Sequence, residues 1–217
     1  MMRMFKKFFL ILIISLICLT SAIAEKVIVF EFTEEERKIL KVRKVKKETT
    51  YTLGSNENGN FLKAEAEGKA SGLGIEKKIN LLKTPFINIT WKVEKDLFGI
   101  NEKSKKGHDY AARVFVIKKT GKTALSNRAI NYVFSSNNNI GENWKSPFTK
   151  RSIDYVLAST KNNLNEWVTV KANVKDHFKK FHMIDVNEIE GVAIMTDTDN
   201  SKKPTIAYYQ NIYFSSE

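Results

Sequence analysis

The sequence predicts an all-β protein: an antiparallel two-sheet β-sandwich, jelly-roll-like, with one short helix near residues 174–181. Apolar residues recur mostly in short runs of period two, the spacing of half-buried strands. Turn-rich stretches such as residues 54–60 and 135–139 separate these runs. Long helical patterns do not come between them, and this favours antiparallel layers over a parallel α/β arrangement.

Residues 1–24 are predicted to be a signal peptide. Three basic residues precede an apolar run over residues 8–19, and Ala22-Ile23-Ala24 matches the small-x-small pattern of a cleavage site. The apolar run is too short to span a bilayer, so no transmembrane anchor is expected after cleavage. The mature chain, residues 25–217, is expected to be a single β-sandwich domain that is periplasmic or secreted.

The composition excludes several classes of function. Cleavage would remove Cys18, the one cysteine, and would lower the formal charge from +12 to +9. Thiol catalysis, disulfides and Cys-ligated zinc are therefore excluded for the mature chain. Thirty of the 36 basic residues are Lys, whereas readout of phosphates and bases favours Arg. No nucleic-acid partner is expected, and the charge fits solubility or attraction to a glycan or an anionic envelope component.

The strands follow from the alternation of apolar and polar residues. The clearest is residues 86–93, where Ile87, Ile89, Trp91 and Val93 share one face, which should be buried. Other strands are predicted at residues 27–32, 50–53, 61–66, 110–118, 130–134, 152–158, 167–173, 192–196 and 207–214.

Two segments have helical signals. Thr33 and Glu36 form a capping-box pattern at the start of residues 34–47, which could equally be an extended entry to the next strand. Asn173 can cap a short helix over residues 174–181, because the apolar residues there recur on one side.

Recognisable catalytic motifs are not found in the sequence. Residues 68–72 place their Ser one position too late for a nucleophile elbow, so a tight turn or strand edge is expected there. His177 and His182 are five residues apart and do not share a helix face as a zinc-binding pair would. The sequence favours a protein that is not an enzyme and leaves the question open.

One loop could hold a metal ion. Asp197, Asp199 and Ser201 offer oxygen atoms at alternate positions, a pattern that can wrap calcium. No Gly follows at the sharp-turn position, and two Lys residues come next, so an ordinary loop with Asx turns is favoured. No cofactor is expected, with calcium retained as the alternative.

The candidate ligand-binding residues come from the strand faces. Asp109 and Arg113 share a face but lie about 13 Å apart along the strand, so they cannot pair directly. Arg113 is then either paired by a neighbouring strand or open to a cavity. Aromatic rings beside planar polar groups are what sugar binding uses. The candidate set on this basis is Asp109, Arg113, Asn131, Trp167, Tyr209 and Asn211, although Trp167 and Tyr209 could equally be packing residues.

Several segments carry a family resemblance. Residues 106–116, 131–134, 191–200 and 207–214, with the run Met-Thr-Asp-Thr-Asp-Asn at 195–200 as the most specific, resemble the exported bacterial proteins of domain of unknown function family 3047. The resemblance implies a periplasmic or secreted protein with no assigned activity. The sequence departs from the family pattern at His108, Phe134 and His182. The C-terminal segment is also similar, more distantly, to the last hairpin of galactose-binding-like and carbohydrate-module jelly rolls.

Three hypotheses about function follow. The first is a non-enzymatic envelope protein that binds a glycan or another polyhydroxylated ligand on a sheet face. The second is a glycan-cleaving enzyme with two carboxylates among Asp109, Glu166, Asp176 and Asp197, roughly 5 to 9.5 Å apart. The third is a structural or partner-binding envelope protein.

Overall fold

The computed structural model describes residues 24–123 and 126–217. Residues 1–23 of the predicted signal peptide, with Cys18, lie outside the described residues. Within the described part of the chain, no helix is long and apolar enough to cross a membrane.

The chain forms mostly strands, as the alternation predicts. The strands are β1 (Lys26–Phe30), β2 (Lys41–Lys44), β3 (Thr50–Asn56), β4 (Gly59–Glu67), β5 (Ala70–Asn80), β6 (Phe86–Lys95), β7 (Tyr110–Lys118), β8 (Arg128–Ser135), β9 (Asn143–Ser146), β10 (Thr149–Ser159), β11 (Val168–Asn173), β12 (Glu188–Asp197) and β13 (Pro204–Ser215). The helices are α1 (Glu34–Ile39), α2 (Thr160–Asn163) and α3 (Val174–His182), and a 3₁₀ turn spans Lys105–Gly107.

The strands form two packed sheets, and the predicted β-sandwich is confirmed. The back sheet has the order β11-β6-β13-β4-β3, with β1 also pairing with β13. The front sheet has the order β2-β5-β12-β7-β8-β10-β9. Their facing sides share one hydrophobic core, in which Ile87, Ile89, Trp91 and Val93 are fully buried. The predicted burial of this face of β6 is therefore confirmed.

One strand pair departs from the antiparallel arrangement of the two sheets, since β8 and β10 run parallel. The chain leaves β8, reverses into β9 at the edge of the sheet, and reverses again into β10. Because β10 inserts between β8 and β9, the two reversals give it the direction of β8.

The structure also resolves the helical segments. Residues 34–47 contain both a helix, α1, and a strand, β2, and the Thr33 side chain caps α1 by accepting from the Glu36 N–H at 3.1 Å. Helix α3 begins after Asn173, whose side chain caps it as predicted. Helix α2 is additional to the one helix predicted. Strands β5 and β9 were not predicted because β5 begins with Gly-rich sequence and β9 is short and polar.

Candidate functional site

A cleft of about 870 Å³ lies on the outer face of the front sheet. Its floor is made of small residues on the two strands in the middle of the cleft: Gly72 and Gly74 on β5, and Gly191 and Ala193 on β12. The alternate residues of the same strands, such as Leu73, Val192 and Ile194, point into the core. Strand alternation therefore buries one side of the sheet and leaves a trough on the other.

Close strand approach explains why glycine is needed in the floor. A Cβ atom at Gly72 would lie 2.7 Å from the carbonyl oxygen of Ile194, and one at Gly74 would lie 3.2 Å from the Cβ of Ala193. At Gly72 any larger residue would have to shift the backbone of β12, and at Gly74 the neighbouring Ala193 would have to give by a few tenths of an ångström. The glycines leave the space above the floor open.

Basic residues lie on both sides of the floor. Arg43 on β2 and Arg113 on β7 lie in one row across the sheet. Between them in this row lie Gly72 on β5 and Met195 on β12. Three strand spacings separate the two Arg residues, so their backbones are about 14 Å apart. Lys41 and Lys119 also line the cleft, and both pair with Glu76.

Arg113 is buried and forms an ion pair across the sheet. Its guanidinium lies 2.7 Å from a carboxylate oxygen of Asp197 on β12, and both side chains are at most 5% exposed. The contact lacks the angle of a hydrogen bond, and Nε of Arg113 has no partner. The guanidinium is also 4.9 Å from the ring centres of Tyr110 and Phe115. Asp197 on the neighbouring strand β12 thus forms an ion pair with Arg113. The Arg113 side chain also lines the cleft.

The carboxyl group of Asp197 has a raised pKa. Burial raises the pKa of Asp197 to about 6, although the Arg113 guanidinium opposes the shift. The carboxylates of Asp109 and Asp199 raise this pKa further, because all three have oxygen atoms within 4.8 Å of one another.

One member of this acidic cluster, Asp109, has a structural role. Asp109 is fully buried, and its two oxygens accept hydrogen bonds from the backbone N–H groups of Asn200 and Ser201 and from the Asn200 amide. Asp109 therefore fastens the β12–β13 loop and has little capacity left for a ligand. Of the predicted calcium ligands, Asp197 instead contacts Arg113, which already supplies a positive charge.

A second polar network borders the cleft next to Arg113, on the side of β8. Nε2 of His108 lies 2.7 Å from Asp154, whose other oxygen accepts from the Asn131 amide at 2.7 Å. The side-chain oxygen Oδ1 of Asn131 in turn accepts a hydrogen bond from the Ser152 hydroxyl at 3.1 Å. Within the described residues no hydrogen bond is formed to Nδ1 of His108. The buried Asp154 thus fixes the orientation of two residues, His108 and Asn131, that line the cleft.

The structure brings together four of the residues predicted from sequence. Arg113, Asn131, Asp197 and Asp199 line the cleft, and Asp109 lies directly beneath its edge.

The two predicted aromatic platforms and Asn211 do not reach the cleft. Tyr209 is fully buried between the sheets, where its hydroxyl bonds the backbone of Arg113 and Met195. Trp167 packs against Phe61 and Tyr208 on the back sheet. Asn211 is exposed at a bulge of β13, with φ of 47°. The prediction treated β13 as regular and could not tell to which sheet each strand belongs.

Of the four carboxylates in the hydrolase hypothesis, the structure brings Asp109 and Asp197 together, with oxygen atoms within 4.8 Å of each other. Glu166 and Asp176 are exposed and lie outside the cleft. Asp109 and Asp197 are close, but the hydrogen bonds to Asp109 leave it without the freedom of a nucleophile or base.

Sequence reasoning missed His108, Asp154 and the floor. The available signal for the floor was Gly72-x-Gly74 together with Gly191-x-Ala193, since small residues at alternate positions of a strand leave one face bare. No local pattern could connect His108 to Asp154, which are 46 residues apart.

The chain belongs to the family described as "Protein of unknown function (DUF3047)", whose model matches residues 35–213. This confirms the family resemblance. No curated protein sequence matches the chain at a significant level.

Several solved structures are similar to the chain at low identity. A family 30 carbohydrate-binding module has 10% identity and a TM-score of 0.49, with 89% of this chain and 88% of that chain covered. A variant of the Cel12A cellulase of Rhodothermus marinus has 8% identity and a TM-score of 0.48, covering 81% and 90%. The Endo-D glycoside hydrolase domain from Streptococcus pneumoniae R6 has 8% identity and a TM-score of 0.41. The match to Endo-D covers 82% of this chain, which spans 22% of that protein's length. Similarities at this level carry no inference about activity.

Proposed function

We propose that this member of the family binds a glycan or another polyhydroxylated ligand in the cleft of the front sheet. The observation that carries the proposal is the combination of a bare Gly and Ala floor with fixed polar side chains along its β7 and β8 side. Such a trough admits an extended chain, and the fixed side chains give it hydrogen bonds.

The shape of the cleft supports a sugar ring as the unit that is bound. Phe115 and Phe148 line the cleft, and Phe148 is 57% exposed. An aromatic ring offers an apolar surface to the C–H face of a pyranose, so these two residues take the role that the sequence gave to Trp167 and Tyr209.

The polar groups are oriented before any ligand arrives. Arg113 is held by Asp197, and Asn131 and His108 are held by Asp154. A guanidinium and an amide are planar groups that can make paired hydrogen bonds to neighbouring hydroxyls. Because their conformations are fixed by buried partners, little side-chain entropy is lost when a ligand binds.

The proposed setting is the periplasm or the exterior of the cell, on the strength of the signal-peptide pattern in residues 1–24. The ligand would then be a glycan that this compartment exposes. No metal ion is needed for the binding proposed here.

The test is to fill the trough with a side chain. The mature protein is screened on an array of neutral and acidic oligosaccharides, and calorimetry then measures the affinity for the strongest binder. Ala193 is partly exposed in the floor, so Ala193→Phe should weaken binding by at least about tenfold while leaving the melting temperature nearly unchanged.

The matched control is Thr52→Phe, which adds the same ring at an exposed position of the back sheet and should leave affinity unchanged. Equal affinity of Ala193→Phe and the unmodified protein would place the binding site elsewhere. If the array shows no binding at all, the glycan proposal is wrong and the structural or partner-binding hypothesis is favoured.

A further inference from the structure

A second pocket, of about 560 Å³, lies at the end of the sandwich where α3 stops. Four cationic side chains line it: Arg128 at the start of β8, Lys145 on β9, and Lys150 and Arg151 on β10. No acidic residue is among its described lining residues. We call these four residues the basic cluster.

In the part of the chain that the structure describes, the cations of the basic cluster have no acidic partner. Among the described residues, none of the four is in a salt bridge, whereas Arg113 pairs with Asp197 and Lys118 pairs with Glu190. Lys175, at the other end of α3, also pairs, with Asp185. The basic cluster therefore presents an uncompensated positive charge to whatever approaches this end of the molecule.

An exposed apolar side chain lies in the same pocket. Met183 ends α3 in a left-handed conformation, with φ of 58°, and is 84% exposed. Phe181, two residues earlier, also lines the pocket, and the ammonium group of Lys180 lies 5.3 Å from its ring centre. An apolar tip surrounded by cations is the pattern of a surface that binds at a membrane interface.

We propose that this end of the molecule docks on an anionic lipid surface. Met183 enters the boundary between headgroups and acyl chains, and the basic cluster contacts the headgroup phosphates. Juxtaposed Lys and Arg residues gain attraction from the negative surface potential of a bilayer, and an apolar side chain gains from leaving water. A soluble polyanion would satisfy the basic cluster alone, so the exposed Met183 is what favours a bilayer.

The docking surface and the glycan cleft meet at Thr149 but are lined by different functional side chains. The cleft residues that hold the proposed ligand, Arg113, Asn131 and His108, do not line the basic pocket. Membrane docking can therefore be tested, and can fail, independently of the glycan proposal.

The test is sedimentation of the mature protein with vesicles at 25 °C. Binding is expected to vesicles that contain phosphatidylglycerol in phosphatidylcholine, and not to vesicles of phosphatidylcholine alone. Lys150→Gln/Arg151→Gln should weaken binding by about thirtyfold, because each basic residue near an anionic surface strengthens binding roughly fivefold and the two factors multiply. Met183→Ser should weaken it by about threefold or more. Binding should also be lost in 1 M salt, where charges are screened beyond roughly 3 Å.

Matched controls lie at the other end of the sandwich. Lys47→Gln/Lys95→Gln removes two exposed cations there, and Phe98→Ser removes a side chain that is 73% exposed. Both should bind vesicles like the unmodified protein, and melting curves of all variants should show that each folds.

Three results would overturn the proposal. The first is no binding to phosphatidylglycerol vesicles at low salt. The second is equal weakening by the control variants. The third is full competition by millimolar inorganic phosphate or by polygalacturonate with no effect of Met183→Ser, which would identify the pocket as a site for a soluble anion.

Discussion

Replacing Arg113 by Met is expected to destabilise the protein strongly at neutral pH and only weakly at acidic pH. The substitution keeps the volume of the side chain but removes the positive charge that lies 2.7 Å from Asp197. Removing one partner of a buried ion pair leaves the other charge without compensation, which costs about 3 to 5 kcal/mol. Since Arg113 lowers the pKa of Asp197, that pKa should rise above its present value of about 6 in the variant.

The pH dependence follows from the direction of this shift. A carboxyl group whose pKa is higher in the folded than in the unfolded state binds protons more tightly when folded. Its stabilising contribution is complete below the unfolded pKa, near 4, and is lost as the pH rises through the folded pKa. The free energy of unfolding of Arg113→Met should therefore be much lower than that of the unmodified protein at pH 8 and only slightly lower at pH 5.

The assay is urea unfolding of both proteins at pH 5 and pH 8. Comparing the two proteins at each pH cancels the titration of groups that the substitution does not touch. In Arg113→Met/Asp197→Asn neither charge remains, so most of the lost stability at pH 8 should return. A deficit that is the same at both pH values, or a double variant as unstable as Arg113→Met, would show that the ion pair is not what Arg113 contributes.

Three further outcomes are expected. Trp91 is fully buried, so Trp91→Ala should lower the free energy of unfolding by about 3 to 5 kcal/mol. Trp91→Phe should cost less, because it fills most of the space and removes an indole N–H that has no partner, and urea unfolding measures both. Burial lowers the pKa of His177 to about 4, and Lys180 adds to the shift, so the unfolded chain takes up this proton first on acidification. His177→Gln should therefore reduce the loss of stability between pH 6.5 and 4, and an unchanged slope would contradict this. Mass spectrometry of exported protein should find an N-terminus at Glu25, and retention of residues 1–24 would contradict the signal-peptide prediction.

The fold could be predicted from sequence where burial is one-sided. On β6 the alternation of apolar and polar residues reports directly which face is buried, and the strand lies where the pattern placed it. Strand β7 also lies at the predicted residues, although its first five residues are buried on both faces. In the first half of β5 the alternation fails, because Gly72 and Gly74 occupy the positions of the open face where polar side chains would mark the period. The parallel pairing of β8 and β10 has no local signature, since it depends on where β9 lies in the sheet.

The site could be predicted only as far as strand parity reaches. Parity placed Arg113 and Phe115 on one face, and both line the cleft. It could not assign Trp167 to the back sheet, because membership of a sheet is set by long-range pairing. Strand parity also could not predict that the Asp109 carboxylate accepts hydrogen bonds from backbone N–H groups of a loop about 90 residues away.

The burial of Tyr209 explains how the two sheets together position the cleft residues. The pairing of β7 with β12 shifts register between Met195 and Asp197, and at this irregularity backbone groups need other partners. The hydroxyl of Tyr209 reaches across from the back sheet, accepts from the N–H of Arg113 at 3.1 Å and donates to the carbonyl of Met195 at 2.7 Å. The irregularity lies where Arg113 faces Asp197, so the back sheet stabilises the strand geometry that forms the ion pair. Tyr209 thus acts on the cleft by holding the backbone at Arg113. The sequence placed this aromatic ring against the ligand, whereas in the structure it positions Arg113, the residue that is expected to contact the ligand.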